Sequence, residues 1–437
     1  MPFYFVVSNK ICTFAAKSKY MEKELFRTII AENQEYIGRI PLVQRPLDLE
    51  EYGNYVFVGV RQAGKSYLLY QRIQQLLANG VEIENIVYIN FDDERLQGMS
   101  VTDFDLILQA YHSMYDSQPI FFFDEIQNVE GWANFARRLA NQKYRIYITG
   151  SNAKMLSRDI ETVLGGRYLD ISVFPYSFSE YLKAVGVLVS KNWQYGRKAN
   201  ELQRHFRTYF DWGGFPELVH FQEKRVWLNS LYNRIFFNDL VVRHKIKNED
   251  ALRLCVRRLA ESVKQPCSLN RLSNLIKATG TPCSPSTVME YVRYLQESCL
   301  LISIDNYVSK FVEKETIKKH YFVDNGLLHL FINNPNTSLL ENLCTITLYK
   351  KYGKGLYYYN RNIEVNFYVP DEGLAVQASY QMSDEETIER EAKALVTLHG
   401  LYPLKRAMII TYEDEGEIVR EGLKIEIKPA WKWVMEG

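Results

Sequence analysis

The chain lacks cysteine pairs spaced for a metal, apolar runs of membrane length and a surplus of either charge. Its six cysteines, Cys12, Cys255, Cys267, Cys283, Cys299 and Cys344, contain no Cys-x-x-Cys pair. That spacing suggests neither a zinc site nor a disulfide framework, and it points to a reducing, cytoplasmic setting. No stretch approaches the ~18 consecutive apolar residues that a membrane span needs. The net charge of +1 argues against a globally basic nucleic-acid binder and leaves room for a local patch. Residues 1–20 lack the leading basic segment of a secretory signal. A better helical pattern opens at Met21, so residues 1–20 are read as an upstream start-site extension. No internal repeat is evident. The remaining balance, 47% hydrophobic and 24% charged over 437 residues, is that of an ordinary soluble chain. The length suits two to four domains.

What is present starts at Val56. The apolar run 56–58 meets Gly59-Val60-Arg61-Gln62-Ala63-Gly64-Lys65-Ser66, and a helical pattern follows through Leu76 and Leu77. Strand, Gly-x-x-x-x-Gly-Lys-Ser and helix form a phosphate-binding loop in its required context. Gly59 and Gly64 let the backbone turn its N–H groups inward, and the helix N-terminus adds positive dipole density. Lys65 reaches the β- and γ-phosphates, and the Ser66 hydroxyl can ligate Mg²⁺. The expected contacts to ATP or ADP are Gly59, Val60, Arg61, Gln62, Ala63, Gly64, Lys65, Ser66 and Tyr67.

A second apolar run, 119–123, ends in Asp124-Glu125. Two carboxylates at the tip of a strand, roughly 60 residues after a phosphate loop, suit Mg²⁺ held through water by Asp124. Glu125 then polarises the water that attacks the γ-phosphate. Standing alone, the pair would more readily read as a helix cap. The next strand, 144–148, runs into Thr149-Gly150-Ser151-Asn152. Ser151 is either a γ-phosphate contact at a strand end or part of an ordinary turn. Arg167 follows Gly165-Gly166. It either reaches a phosphate, in cis or from a neighbouring subunit, or sits on a surface turn. Strands alternating with helices over 56–173 predict a parallel sheet covered on both faces.

Residues 178–247 are helical and aromatic-rich, interrupted by Asp211-Trp212-Gly213-Gly214-Phe215-Pro216-Glu217. Two glycines and a proline there predict a rigid corner from which a lid folds over the nucleotide near its base. Helices are expected at 249–260, 268–278 and 285–297, the last with Ser284 as cap and Pro285 in its first turn. Strands at 300–304 and 319–323 could pair as a wing, which completes a winged helix-turn-helix. Its exposed third helix offers Ser286, Thr287, Glu290, Arg293 and Gln296. That face is only mildly basic, and it suits either DNA or a protein contact. The last part alternates again: a helix over 339–351 with Glu341, strands at 355–360, 364–369, 374–380, 407–412 and 423–427, and a charged helix over 384–399.

With these residues placed, the chain resembles the bacterial and archaeal AAA-type P-loop ATPases whose C-terminal domain of unknown function has a restriction-endonuclease-like fold. The resemblance rests on the phosphate loop, on Phe123-Asp124-Glu125-Ile126-Gln127 and on Thr149-Gly150-Ser151. It continues through Gly165-Gly166-Arg167, Gly213-Gly214-Phe215-Pro216-Glu217 and Tyr321-Phe322-Val323-Asp324-Asn325-Gly326-Leu327, and ends with Glu364-Val365-Asn366-Phe367 and Val376-Gln377. It implies that Lys65 and Ser66 bind phosphate and Mg²⁺, and that Asp124 and Glu125 are the Walker B pair. It places Ser151 where a polar sensor stands and Pro216 in a lid motif near the base. It leaves the role of Arg167 open. The nuclease fold would use an acidic residue on a helix, an Asp on a strand and Glu-x-Lys on the next. The positions here read Glu341, Asn366 and Gln377-x-Ser379, a poor set for Mg²⁺.

The expected fold class is α/β, with an AAA-type core over 21–177 and a helical lid over 178–247. A winged helix-turn-helix over 248–325 and a degenerate nuclease-like domain over 326–437 follow. The expected function is Mg²⁺-dependent ATP hydrolysis coupled to the winged-helix and C-terminal platform. The alternatives are a nucleotide-regulated DNA-binding protein with little turnover and, less favoured, an ATP-dependent nuclease. Expected partners are ATP and ADP, DNA through the winged helix, and a protein or second copy, with no membrane.

Overall fold

Five short segments in the first half, four of them dominated by Val, Ile, Phe and Tyr, build one sheet. They form β1 (Tyr55–Val58), β2 (Ile86–Asn90), β3 (Ile120–Asp124), β4 (Arg145–Gly150) and β5 (Leu169–Ser172). The computed structural model describes residues 21–156, 158–189, 191–382 and 384–436, so the reading of residues 1–20 lies outside the described residues. All five strands run parallel in the order β2-β3-β4-β1-β5. Alternate side chains serve opposite faces, as the pleat dictates. Phe57, Tyr88, Phe122 and Tyr147 meet Leu69 and Ile73 of α2 (Lys65–Ala78). Val58, Ile89, Phe123 and Ile148 face the other side. There they meet α1 (Lys23–Tyr36), α3 (Phe104–His112) and α4 (Trp132–Asn141). After α4 comes the short α5 (Arg158–Leu164). The edge strand β5 stays largely exposed.

The helical stretch after the sheet comprises α6 (Phe178–Ala184), α7 (Gly196–Trp212) and α8 (Lys224–Arg234). Helix α8 runs on into a π-helical segment, Ile235–Val242. Ser177 and Glu180 form a capping box at the start of α6, each side chain accepting the other's backbone N–H. The expected corner is present: α7 ends at Trp212, and the Gly214 N–H donates to Asp324 Oδ2 at 2.8 Å.

Helices α9 (Glu249–Glu261), α10 (Leu269–Lys277) and α11 (Pro285–Glu297) follow, with a two-residue strand β6 (Cys267–Ser268) before α10. Ser284 caps α11 and Pro285 opens it, as its sequence suggests. Strands β7 (Leu301–Asn306) and β8 (Ile317–Phe322) pair antiparallel around the short α12 (Phe311–Thr316), and β6 pairs with β8. Helices α13 (Asn325–His329) and α14 (Asn336–Tyr352) lead into β9 (Tyr357–Asn360), β10 (Glu364–Val369) and β11 (Leu374–Ala378). Helix α15 (Glu385–Leu401) and strands β12 (Arg406–Thr411), β13 (Gly416–Arg420) and β14 (Leu423–Pro429) come next. The terminal helix is α16 (Ala430–Glu436). Because β7 pairs in parallel with β9, one nine-stranded sheet, β13-β14-β12-β11-β10-β9-β7-β8-β6, crosses the boundary expected at 325/326.

Asp324 ties the halves together. Its carboxylate accepts from Gly214 N–H and Gly326 N–H, both at 2.8 Å. Burial pushes it up to about 6 against those donors and the charge of Lys350. A carboxyl raised in the folded state contributes its full stability below its ordinary value, and loses that contribution as pH rises through about 6. Urea unfolding at pH 5 and pH 7.5 should therefore show a loss on the order of 2 kcal/mol in the native chain. Asp324→Asn should flatten that difference. An equal pH slope in both proteins would refute the assignment.

Candidate functional site

The loop between β1 and α2 closes over itself at the carboxyl edge of the sheet. Gly64 sits at φ 93° and Gln62 at φ 62°, so two successive left-handed turns aim N–H groups into one concavity. Gly59 is required for a different reason: a β-carbon there would run into the Val173 carbonyl oxygen at the end of β5. Lys65 is buried, and its Nζ donates to the carbonyls of Gly59 (3.2 Å) and Val60 (3.3 Å). The same Nζ stands 3.4 Å from Glu125 Oε1.

Strand β4 lies between β1 and β3, so Lys65, Asp124 and Ser151 converge from three neighbouring strand ends. Asp124 accepts from Tyr88 OH (2.7 Å), from the Thr149 hydroxyl and from Ser66. Burial and the neighbouring Glu125 raise its carboxyl, and those three donors pull it back only in part. Glu125 sits at φ 52°, a left-handed backbone costly for a non-glycine residue and characteristic of functional sites. Its N–H donates to Thr149 Oγ1 at 2.9 Å, and Gln127 Nε2 donates to its Oε2 at 2.5 Å. Burial raises Glu125, but Lys65, the Gln127 donor, Arg61 and Ser151 outweigh it and hold the group below the usual carboxylate range.

A Mg²⁺ ion fits this donor set. Asp124 is a fully buried carboxylate with no Lys or Arg among its described partners, and its neighbour Ser66 adds a second hard oxygen.

The other expected residues divide. Ser151 is buried, bonds Glu125 and lies 3.5 Å from Gln127 Nε2. The Pro216 ring stands 3.5 Å from the space above Gly64, and Glu217 approaches Gln62 Nε2 at 3.4 Å. Arg61 forms a two-pronged pair with Asp239 of the π-helical segment, both bonds at 3.0 Å, and Arg243 joins at 3.1 Å. Tyr67 is exposed and packs edge-on against Tyr70. Arg167 does not join the group. It precedes β5 at the sheet's amino edge, because Leu169 pairs with Tyr55 at the start of β1. The phosphate loop follows the other end of that strand, and Arg167 binds its own neighbour, the Gly165 carbonyl, at 3.0 Å. A role in cis does not fit this placement.

Several participants were not singled out from sequence. Tyr88, Thr149 and Asp239 meet the site through strand order and the packing of the π-helical segment. Arg45, in the irregular stretch between α1 and β1, donates to the Ala63 carbonyl (3.1 Å) and pairs with Glu180 (2.8 Å). Thr149 alone gave a local signal, a polar residue closing a buried strand.

A second cluster lies where the nuclease-like centre was expected. Lys319 is fully buried and bridges Glu341 (3.0 Å) and Glu364 (2.8 Å), and Tyr321 OH donates to Glu341 at 2.7 Å. Burial pulls Lys319 down, but the two carboxylates outweigh it and keep it charged. Asn366 and Gln377 hold each other's strands, Gln377 Oε1 accepting from Asn366 N–H (2.8 Å) and Asn366 Oδ1 from Ala378 N–H (2.9 Å).

A glycine loop, a buried lysine and a buried acidic strand tip on a five-stranded parallel sheet define an AAA-type P-loop protein. Residues 52–182 match the family model described as an AAA domain, and residues 203–338 match a domain of unknown function (DUF8612). The uncharacterized protein MJ1544 of Methanocaldococcus jannaschii is 31% identical over 432 residues, covering 94% of this chain and 95% of that one. An uncharacterized protein of Haemophilus influenzae is 31% identical over 304 residues, covering 68% and 74%. The chain belongs to the same family as these proteins. Among solved structures, the Walker-type ATPase of Pyrococcus abyssi aligns over 72% of this chain and 97% of its own, at 12% identity and a TM-score of 0.39, a likeness too slight to carry an argument. Among the described residues, no helix is long and apolar enough to cross a membrane.

Proposed function

We propose that the protein binds ATP with Mg²⁺, hydrolyses it, and passes the nucleotide state to its lid, winged-helix and C-terminal parts. The observation that carries this reading is the convergence of Lys65, Ser66, Asp124 and Glu125 on one concavity. Main-chain N–H groups and Lys65 grip the phosphates. Asp124 and Ser66 would hold the cation, which neutralises phosphate charge when bound. Glu125, held ionised, takes a proton from the attacking water as that oxygen bonds the γ-phosphorus and the bond to the bridging oxygen breaks. ADP and phosphate result. Ser151 and Gln127 orient Glu125.

Replacing Lys65 with Ala should weaken binding of a fluorescent ATP analogue by about 2–3 kcal/mol, roughly 30- to 150-fold. Unchanged affinity in a normally folded protein would show that the site is misassigned.

The elements from α9 to β8 support a winged helix, since helix, strand, two helices and an antiparallel pair occur in that order. Its third helix offers less to DNA than its sequence suggests. Gln296 is spent on Ser303 Oγ (2.7 Å) and Thr287 on the Ser284 cap, which leaves Arg293 as the helix's one exposed cation beside exposed Glu290 and Met289. We read that face as a protein contact.

The C-terminal centre, by the same reasoning, is not a nuclease, because an ammonium stands between its two acids. Mg²⁺-dependent plasmid nicking that disappears on Glu341→Ala would overturn this. Arg167, exposed at the far edge, could serve only a second copy.

A further inference from the structure

A cavity of about 440 Å³ lies between α6, α14, α16 and the face of β11 and β12. None of the nucleotide-site residues lines it. The volume falls within the range of small-molecule sites. Phe178, Leu348, Val376, Met408, Trp433 and Val434 give it an apolar wall. Lys350, Lys351 and Arg406 line it too, with Glu436 as the one carboxylate.

The charges are not equally available. Glu436 accepts from Lys428 at 2.6 Å, and Arg406 is held by Glu426 through two bonds of 3.2 and 3.1 Å. Lys350 is different. Its Nζ donates to the Pro175 carbonyl at 3.0 Å and faces the Phe174 ring, and among the described residues it forms no ion pair. Burial pushes it down to about 8, and the charges of Glu180 and Asp324 offset that push only in part.

We propose that this cavity binds a small amphipathic carboxylate, its head on Lys350 and its apolar body against Val376, Met408 and Trp433. A neutral apolar guest would bring the ammonium no anionic partner. A cation would meet three like charges. A polyanion would leave the apolar wall unused.

The test reads binding alone and does not depend on ATP turnover. The full chain is titrated with decanoate, below its micelle concentration, against the fluorescent probe 8-anilinonaphthalene-1-sulfonate. The expected result is saturable probe binding at one site per chain, displaced by decanoate and not by decan-1-ol or decyltrimethylammonium. Lys350→Met should weaken decanoate about 10-fold or more. Val376→Trp should fill the space and abolish binding, with cooperative melting retained. If Val376→Trp does not fold, Lys350→Met, at a partly exposed position, decides alone. Equal displacement by the alcohol, non-saturable probe fluorescence, or unchanged decanoate affinity in Lys350→Met would each overturn the proposal.

Discussion

A Glu125→Gln protein should bind ATP about as tightly as the native chain and turn it over some two to four orders of magnitude more slowly. That is the span general-base catalysis commonly supplies. The amide keeps the shape of the carboxylate and its neighbours Gln127 and Ser151, but it cannot take a proton from water. Loss of the Lys65–Glu125 pair should also free the ammonium, so ATP affinity should hold or rise. Phosphate release under single-turnover conditions, with nucleotide retention on a spin column, checks both halves. Undiminished turnover would remove Glu125 from the mechanism.

The other large effect lies in the second half. Lys319→Met should cost about 3–5 kcal/mol in chemical unfolding, because it leaves Glu341 buried without its cation. Burial already pushes Glu341 up, and only Lys319 and Tyr321 oppose that push. A double replacement, Lys319→Met with Glu341→Leu, should recover much of the loss, since an apolar pair of similar volume needs no counter-charge. If the single replacement is neutral, the bridge does not hold β8 to α14.

Much of the candidate site was legible because its signals are local. Eight consecutive residues specify the phosphate loop, and one strand end specifies Asp124 and Glu125. Their flanking strands follow from short Val, Ile and Phe runs. Boundaries were less legible. Helix α3 opens only at Phe104, although the helical pattern starts earlier, because the Ser100–Asp103 capping box spends the preceding turn as a 3-10 helix. The contacts hidden from the sequence are long-range ones. Arg61 and Asp239 are 178 positions apart, and Arg45 and Glu180 are 135 apart. Neither partner carries a pattern that points to the other. Lys319 stands in a strand expected as part of a wing, and only the β7–β9 pairing brings it beside acids from the next segment. Arg167 is the opposite case: its Gly-Gly-Arg leaves a phosphate contact and a surface turn both open, because it tells nothing about which edge of the sheet it occupies.

The contact between Lys65 and Glu125 ties two charges to one another. In the proposed reaction, a triphosphate competing for the ammonium would release the carboxylate to water, so that gripping and activation would fall under a single exchange of partners.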